Sequence, residues 1–166
     1  MIRLYHGTNL AIEKIDLSVC RPNKDFGKGF YLTQIEEQAE KMARRVAAIY
    51  GGLPVVNCYC FDDTAVSPQT VRVRRFDSPS VEWALFIANN RNGLTEGDNN
   101  LDNKYDIVIG PVANDDLSLL FRQFMRGYID LESLAKGLQY KKLNDQFSFH
   151  TEQAVSLLTK EGERYV

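Results

Sequence analysis

Asp25-Phe26-Gly27-Lys28-Gly29-Phe30-Tyr31-Leu32-Thr33 is the stretch on which the reading of this 166-residue chain turns. Two glycines, which carry no Cβ and enter positive φ at little steric cost, stand before the apolar run Phe30-Tyr31-Leu32, so a tight loop is predicted to feed a strand. A second stretch belongs with it: Leu4-Tyr5-His6-Gly7-Thr8, where an apolar N-terminal strand ends in an imidazole and a glycine. Glycine at that exit would let a flat ring approach the main chain closely. His6 reads as a ligand-facing group or as a structural strand-end histidine, and Tyr31 as a stacking platform or a core aromatic.

At these two points the chain resembles the ADP-ribosyltransferase superfamily, on the branch of diphtheria toxin and the poly-ADP-ribose polymerases. The resemblance lies in His-Gly plus a small hydroxyl residue on the first strand, followed by Phe-Gly-x-Gly-aromatic-Tyr. It implies a split, mostly antiparallel α+β sheet and NAD as co-substrate, without a metal. It also implies an NAD-binding set of His6, Gly7, Thr8, Gly29 and Tyr31, in which the His-Gly pair holds ribose and carboxamide and Tyr31 stacks on the nicotinamide. His6 then positions NAD rather than acting as a base. Imidazole and phenol are expected to line one nucleotide-shaped cleft.

Length and composition fit a single soluble domain over residues 1–166, with 44% hydrophobic and 25% charged residues. A net charge of −2 argues against broad attraction to nucleic acid. The run Arg72-Val73-Arg74-Arg75 reads as a solvated strand face or as a local phosphate patch. Cys20, Cys58 and Cys60 lack metal-ligand spacing, and Cys58 and Cys60 fall on one strand face as two buried small hydrophobes. With no apolar stretch of membrane-spanning length, no membrane association is expected, and a reducing cytoplasm is the predicted setting.

In chain order, Asn9 is read as capping a short helical turn over 10–15, and a polar loop follows over 18–28. Arg21 in that loop could pair with a pyrophosphate through its planar fork, or stand as a surface arginine. Thr33 caps a predicted helix to Tyr50 whose inner face is Ile35, Ala39, Met42, Ala43, Val46 and Ile49, stopped by Gly51-Gly52. Strands are predicted over 54–62, 71–76, 105–112 and 146–150, the third of them central. Helices are predicted over 81–90 behind Ser80, over 117–126, over 131–138 behind Asp130, and over 152–160 behind Thr151. The Gly- and Asn-rich loop 91–103 is expected to be mobile. Strict alternation puts Gln146, Ser148 and His150 on one strand face and Phe147 and Phe149 on the other.

The resemblance places a glutamate, on the nicotinamide ribose, at the position held here by Gln146. An amide can hydrogen-bond a ribose hydroxyl but supplies no charge and takes no proton. Glu152 is the fallback carboxylate, so the expected catalytic set is Gln146, Tyr31, His6 and Glu152. The implied activity is mono-ADP-ribosyl transfer from NAD to a protein, nucleic-acid or small-molecule acceptor, in a bacterial toxin or effector with an antitoxin partner. The alternative is a weak or inactive NAD- or ADP-ribose-binding module of the same fold.

Overall fold

The computed structural model describes residues 1–139 and 144–166. In chain order the elements are β1 (Ile2–Thr8), β2 (Phe30–Thr33), α1 (Glu36–Tyr50), β3 (Val55–Phe61), β4 (Val73–Arg75), α2 (Val81–Asn92), β5 (Ile107–Pro111), α3 (Asp115–Met125), α4 (Leu131–Leu138), β6 (Asp145–Phe149), α5 (Glu152–Val155) and β7 (Leu158–Tyr165). The strands form one sheet in the order β4-β5-β6-β2-β1-β3-β7. Every ladder is antiparallel except β4 with β5.

This α+β sheet is split as expected. β1 and β2 share the single register pair Tyr5↔Thr33, whereas β1 pairs β3 from Ile2↔Phe61 to Thr8↔Val55 and β2 pairs β6 from Phe30↔Phe149 to Thr33↔Gln146. Two well-laddered halves, β4-β5-β6-β2 and β1-β3-β7, therefore meet at a narrow seam beyond which His6, Gly7 and Thr8 run without a recorded partner on β2.

Side-chain alternation divides the core between the two faces of the sheet. Leu4, Phe30, Leu32, Tyr59, Phe61, Ile107, Ile109, Phe147 and Phe149 form one buried cluster, closed by Ile15, Val71 and Ala154. On the other face Phe26, Phe76, Trp83, Phe86, Val108 and Phe121 pack beneath α2, α3 and α4, while Ala39 and Ala43 of α1 pack on Val56. α1 thus covers β1 and β3, and α2–α4 cover the face of β5 that carries Val108. Half-buried Tyr31, Thr33 and Gln146 lie along the strip between these two helical layers.

Local chemistry accounts for most element limits. Ser80, Asn114, Asp130 and Thr151 each accept a first-turn backbone N–H. Gly51, at φ 80°, ends α1. Thr33 is the last residue of β2 rather than the cap of α1, but its Oγ1 still accepts from the Ile35 N–H at 3.1 Å and donates to Gln38 at 2.9 Å. Of the predicted inner face of α1 only Ala39 and Ala43 are buried, and Met42 and Ile49 are 49% and 60% exposed.

Other expectations need correction. No helix forms over 10–15; Asn9 instead donates to the Gly51 carbonyl at 2.9 Å, and a 3-10 turn at Leu17–Val19 follows Asp16. The closing helix is only Glu152–Val155, and the chain then turns into β7 against β3. Lys160, Glu161, Glu163 and Arg164 favour a helix by propensity, yet pairing with β3 overrides it, with Lys160 held by Glu163, and Arg164 by Glu36 and Glu40. Loop 93–106 is anchored, because fully buried Asn100 donates to Phe26 O and Tyr105 O and accepts from the Tyr105 N–H. Cys58 and Cys60 are half-buried rather than buried, and Cys58 is pushed up to about 11 by desolvation first and Glu161 second. Arg72, Arg74 and Arg75 are all taken by carboxylates: Asp106, then Glu82 and Asp98, then Asp77 and Asp145.

Candidate functional site

At the seam, the His6 side chain does what a main-chain amide would do in a continuous ladder. Its Nδ1–H donates to the Tyr31 carbonyl at 2.7 Å, and its ring stacks on Phe30 with centroids 4.4 Å apart. Because Nδ1 carries the proton, Nε2 is an acceptor, and it has no hydrogen-bond partner among the described residues. Burial lowers the pKa of His6, offset in part by the Tyr31 carbonyl, so the imidazole is neutral at physiological pH. Such a group suits positioning a hydroxyl donor.

Gly7 is required for a reason the sequence does not show. A Cβ there would stand 1.9 Å from the Ala39 carbonyl oxygen and 2.8 Å from Ala43 N, so the missing side chain lets the backbone of α1 rest on β1. The space beside its α-carbon is therefore filled by a helix, not left for a ring. Only its main-chain edge toward the seam remains for a ligand.

Tyr31 points to the other side of the sheet from His6. Phe30 and Leu32 alternate with it into one core, the imidazole lies on Phe30, and Tyr31 packs toward Phe26 with centroids 6.4 Å apart. The expectation that imidazole and phenol face each other in one cleft is thus overturned: they flank the seam from opposite faces. The Tyr31 hydroxyl donates to Gly27 O at 2.7 Å and accepts from the Phe26 N–H at 3.0 Å, which locks the ring beneath the Phe26-Gly27 turn. Burial raises its pKa well above the usual phenol value, so it serves as a neutral platform.

Gln146 shares the face of Tyr31, directly opposite Thr33 on β2. Its amide nitrogen donates to Asp25 Oδ2 at 3.1 Å, and the other Asp25 oxygen accepts from Arg91 Nε at 2.8 Å. An ionised carboxylate only accepts, so Asp25 fixes which way the amide faces: Nε2 is turned to it, and Oε1 is the end left for a ligand. Asp25 itself is held by its backbone, since buried Asn90 donates to Asp25 O at 3.1 Å and accepts from Asn100 N at 2.7 Å. Asp25 and Arg91 both fall in predicted loops, and their separation of 66 residues carries no local signal.

His150 meets the Tyr31 ring edge-on with centroids 6.3 Å apart, while the other predicted residues do not join this group. Thr8 ends β1 and contacts Asn9 at 3.4 Å. Arg21 lies 4.8 Å over the ring of Tyr50, near the exit of β1 because Asn9 reaches the next residue, Gly51. Gly29 makes room for a side chain rather than a ligand, since its Cβ would meet His150 Nδ1 at 2.6 Å. Glu152 lines a shallow depression with Lys14, Ile15 and Asp16 and has no contact with Gln146, so it does not supply the absent carboxylate. Buried Ser148 and His150, 2.8 Å apart, satisfy each other, and His150 Nδ1 also bonds Lys28 O at 2.8 Å. Among the described residues no group of three or more His, Cys, Asp or Glu is placed to hold a metal, and no helix is long and apolar enough to cross a membrane.

No curated protein and no solved structure is found to match the chain. One family model does, over residues 2–159, which takes in the seam, the Asp25–Arg91 pair and Gln146. The chain therefore belongs to the family described as DUF3990, proteins of unknown function.

Proposed function

We propose that this protein is an NAD-dependent mono-ADP-ribosyltransferase whose co-substrate lies across the β1–β2 seam. The observation that carries the reading is the seam itself: the His6–Thr8 edge is unpaired toward β2, next to a partly open strip bearing Tyr31 and Gln146. In this reading the nicotinamide ring lies on Tyr31 and its carboxamide meets the main chain of Gly7, while His6, on the opposite face, acts by holding the Tyr31 carbonyl. The Gln146 Oε1, aimed by Asp25, accepts from the ribose next to the breaking bond.

The reaction breaks the bond between nicotinamide nitrogen and ribose C1′, and nicotinamide leaves with the electron pair. The acceptor then bonds to C1′ and releases its proton to solvent. Growing positive charge on the ribose is stabilised by the negative end of the Gln146 amide dipole, a weaker effect than a carboxylate would give. Slow turnover is therefore expected. The test is incubation with adenine-labelled NAD, following nicotinamide release and label on added protein, nucleic acid or small molecules. Release that disappears in Tyr31→Ala and Gln146→Ala supports the reading, and no release from the wild type opposes it.

The amide at 146 favours a second reading, a module that binds NAD or an ADP-ribosylated partner without chemistry. Calorimetry distinguishes the two, since this module binds NAD and leaves it intact.

A further inference from the structure

Helices α2 and α3 enclose a groove of about 840 Å³ that Arg91 also lines. Its walls carry Arg91, Arg122 and Arg126 together with Ser118, Phe121 and Met125, and among the described residues no carboxylate lines it. Most arginines of the chain are neutralised: Arg3 by Glu161, Arg72 by Asp106, Arg75 by Asp77 and Asp145, and Arg164 by Glu36 and Glu40. Arg122 and Arg126, one helical turn apart, have no carboxylate partner among the described residues. Unlike the 72–75 run, they keep their charge available to something outside the chain.

The groove is built as well as charged. Arg91 NH1 donates to Ser118 Oγ at 3.1 Å, and the Arg91 guanidinium stands 6.0 Å from the centroid of Phe121. Guanidinium forks match phosphate oxygens, while Leu94 and Met125, each 40% exposed, offer an apolar wall to a flat base. Phosphate positioning beside guanidinium planes and an apolar wall suits a nucleotide, whose base has a π-face for either. An acidic peptide would use the arginines and leave the apolar wall without a partner. Arg91 is common to both places: one edge holds Asp25, which aims Gln146, and another faces the groove.

We infer that the α2–α3 groove binds a nucleotide by its phosphate and its base. This binding does not rest on the transferase reading. A free nucleotide and the end of a nucleic-acid strand share this chemistry, and the net charge of −2 makes local rather than extended strand contact the expected mode.

The test is titration of the full chain, without NAD, with adenosine monophosphate, with a fluorescent 5′-phosphorylated single-stranded octanucleotide, and with an octamer of glutamate. The expected result is binding in at least one nucleotide arm, weakened at least about tenfold by Arg122→Glu with Arg126→Glu, while the peptide binds weakly or not at all. For the strand, log affinity should fall against log salt with a slope of about −1.4 to −2, as two or three phosphate contacts require. Binding of the strand alone assigns a nucleic-acid end, and binding of the monophosphate assigns a free nucleotide. The inference is overturned if neither nucleotide arm binds, if the peptide binds as well, if the double variant binds equally, or if excess NAD displaces the nucleotide and so makes the groove part of the NAD site. Because both arginines are exposed, the double variant should keep its melting temperature; a milder pair, Arg122→Gln with Arg126→Gln, gives the same comparison if it does not. A thermal shift with NAD is measured in parallel: its absence with nucleotide binding intact sinks the transferase reading and leaves the groove standing.

Discussion

Gln146 and Asp25, 121 residues apart in the chain, are joined by a hydrogen bond of 3.1 Å in which the amide donates and the carboxylate accepts. Asp25 in turn answers Arg91, so a neutral amide sits at the head of a charged pair. This explains how an amide can hold one orientation on a strand end, and why restoring a carboxylate there is not simple.

Gln146→Glu alone should place two carboxylates about 3 Å apart, raising the pKa of one of them. A raised carboxyl pKa gives stability that is present at low pH and lost as pH rises, so this variant should gain stability relative to wild type as pH falls from 7 to 5. Adding Asp25→Asn removes the repulsion. The double variant, which also gives up the Arg91–Asp25 pair, should lose the pH dependence of Gln146→Glu between pH 7 and 5 and should release nicotinamide faster than wild type. Urea titrations at both pH values check the first statement and a nicotinamide assay the second; an equal pH dependence of stability in the two variants would count against the Asp25 contact.

Gly7→Ala should be severely destabilising, by about 3 kcal/mol or more, because the added carbon would lie 1.9 Å from the Ala39 carbonyl and helix backbone cannot yield as a side chain can. Chemical denaturation measures this. A cost below about 0.5 kcal/mol would show that α1 does not rest on β1 as described.

Much of this fold was legible in the sequence because it is written locally. Ser80, Asp130 and Thr151 announce their helices through side chains that reach only three residues ahead, and the alternation of Gln146 to His150 sorts Phe147 and Phe149 into the core. The C-terminal segment misleads because its charged residues favour helix, while pairing with β3, about a hundred residues earlier, makes it a strand. The site was half legible. Tyr31 and Gln146 do come onto one face, but the placement of His6 on the other depends on which core Phe30 joins. The Asp25–Arg91 pair depends on two buried asparagines that bring distant loops together.

Tyr31→Phe separates platform from anchor. It removes the hydroxyl that bridges Phe26 N and Gly27 O but keeps the ring, so the protein should lose about 1–2 kcal/mol and melt a few degrees lower while still binding NAD. Tyr31→Ala should lose NAD binding as well. Melting curves with and without NAD decide this, and equal NAD shifts in both variants would remove Tyr31 from the site.

Acid should weaken the fold above the range where carboxylates titrate. Burial first, offset by the Lys28 carbonyl and by Asp106, lowers the pKa of His150 from 6.5 to about 4. The unfolded chain then binds a proton that the folded chain does not. Stability is full above pH 6.5 and falls as pH drops from 6.5 toward 4, by about 3 kcal/mol for this group, with His6 acting in the same direction. His150→Gln should flatten that part of the stability profile, and an unchanged slope between pH 6.5 and 4 would contradict the assignment.

The central claim, that the β1–β2 seam holds NAD for cleavage, is tested most directly by measuring nicotinamide release from NAD by the purified protein beside its Tyr31→Ala and Gln146→Ala variants. The account predicts slow release by the wild type and a loss of at least about tenfold in each variant. No release by the folded wild type, or equal release by all three, would contradict it.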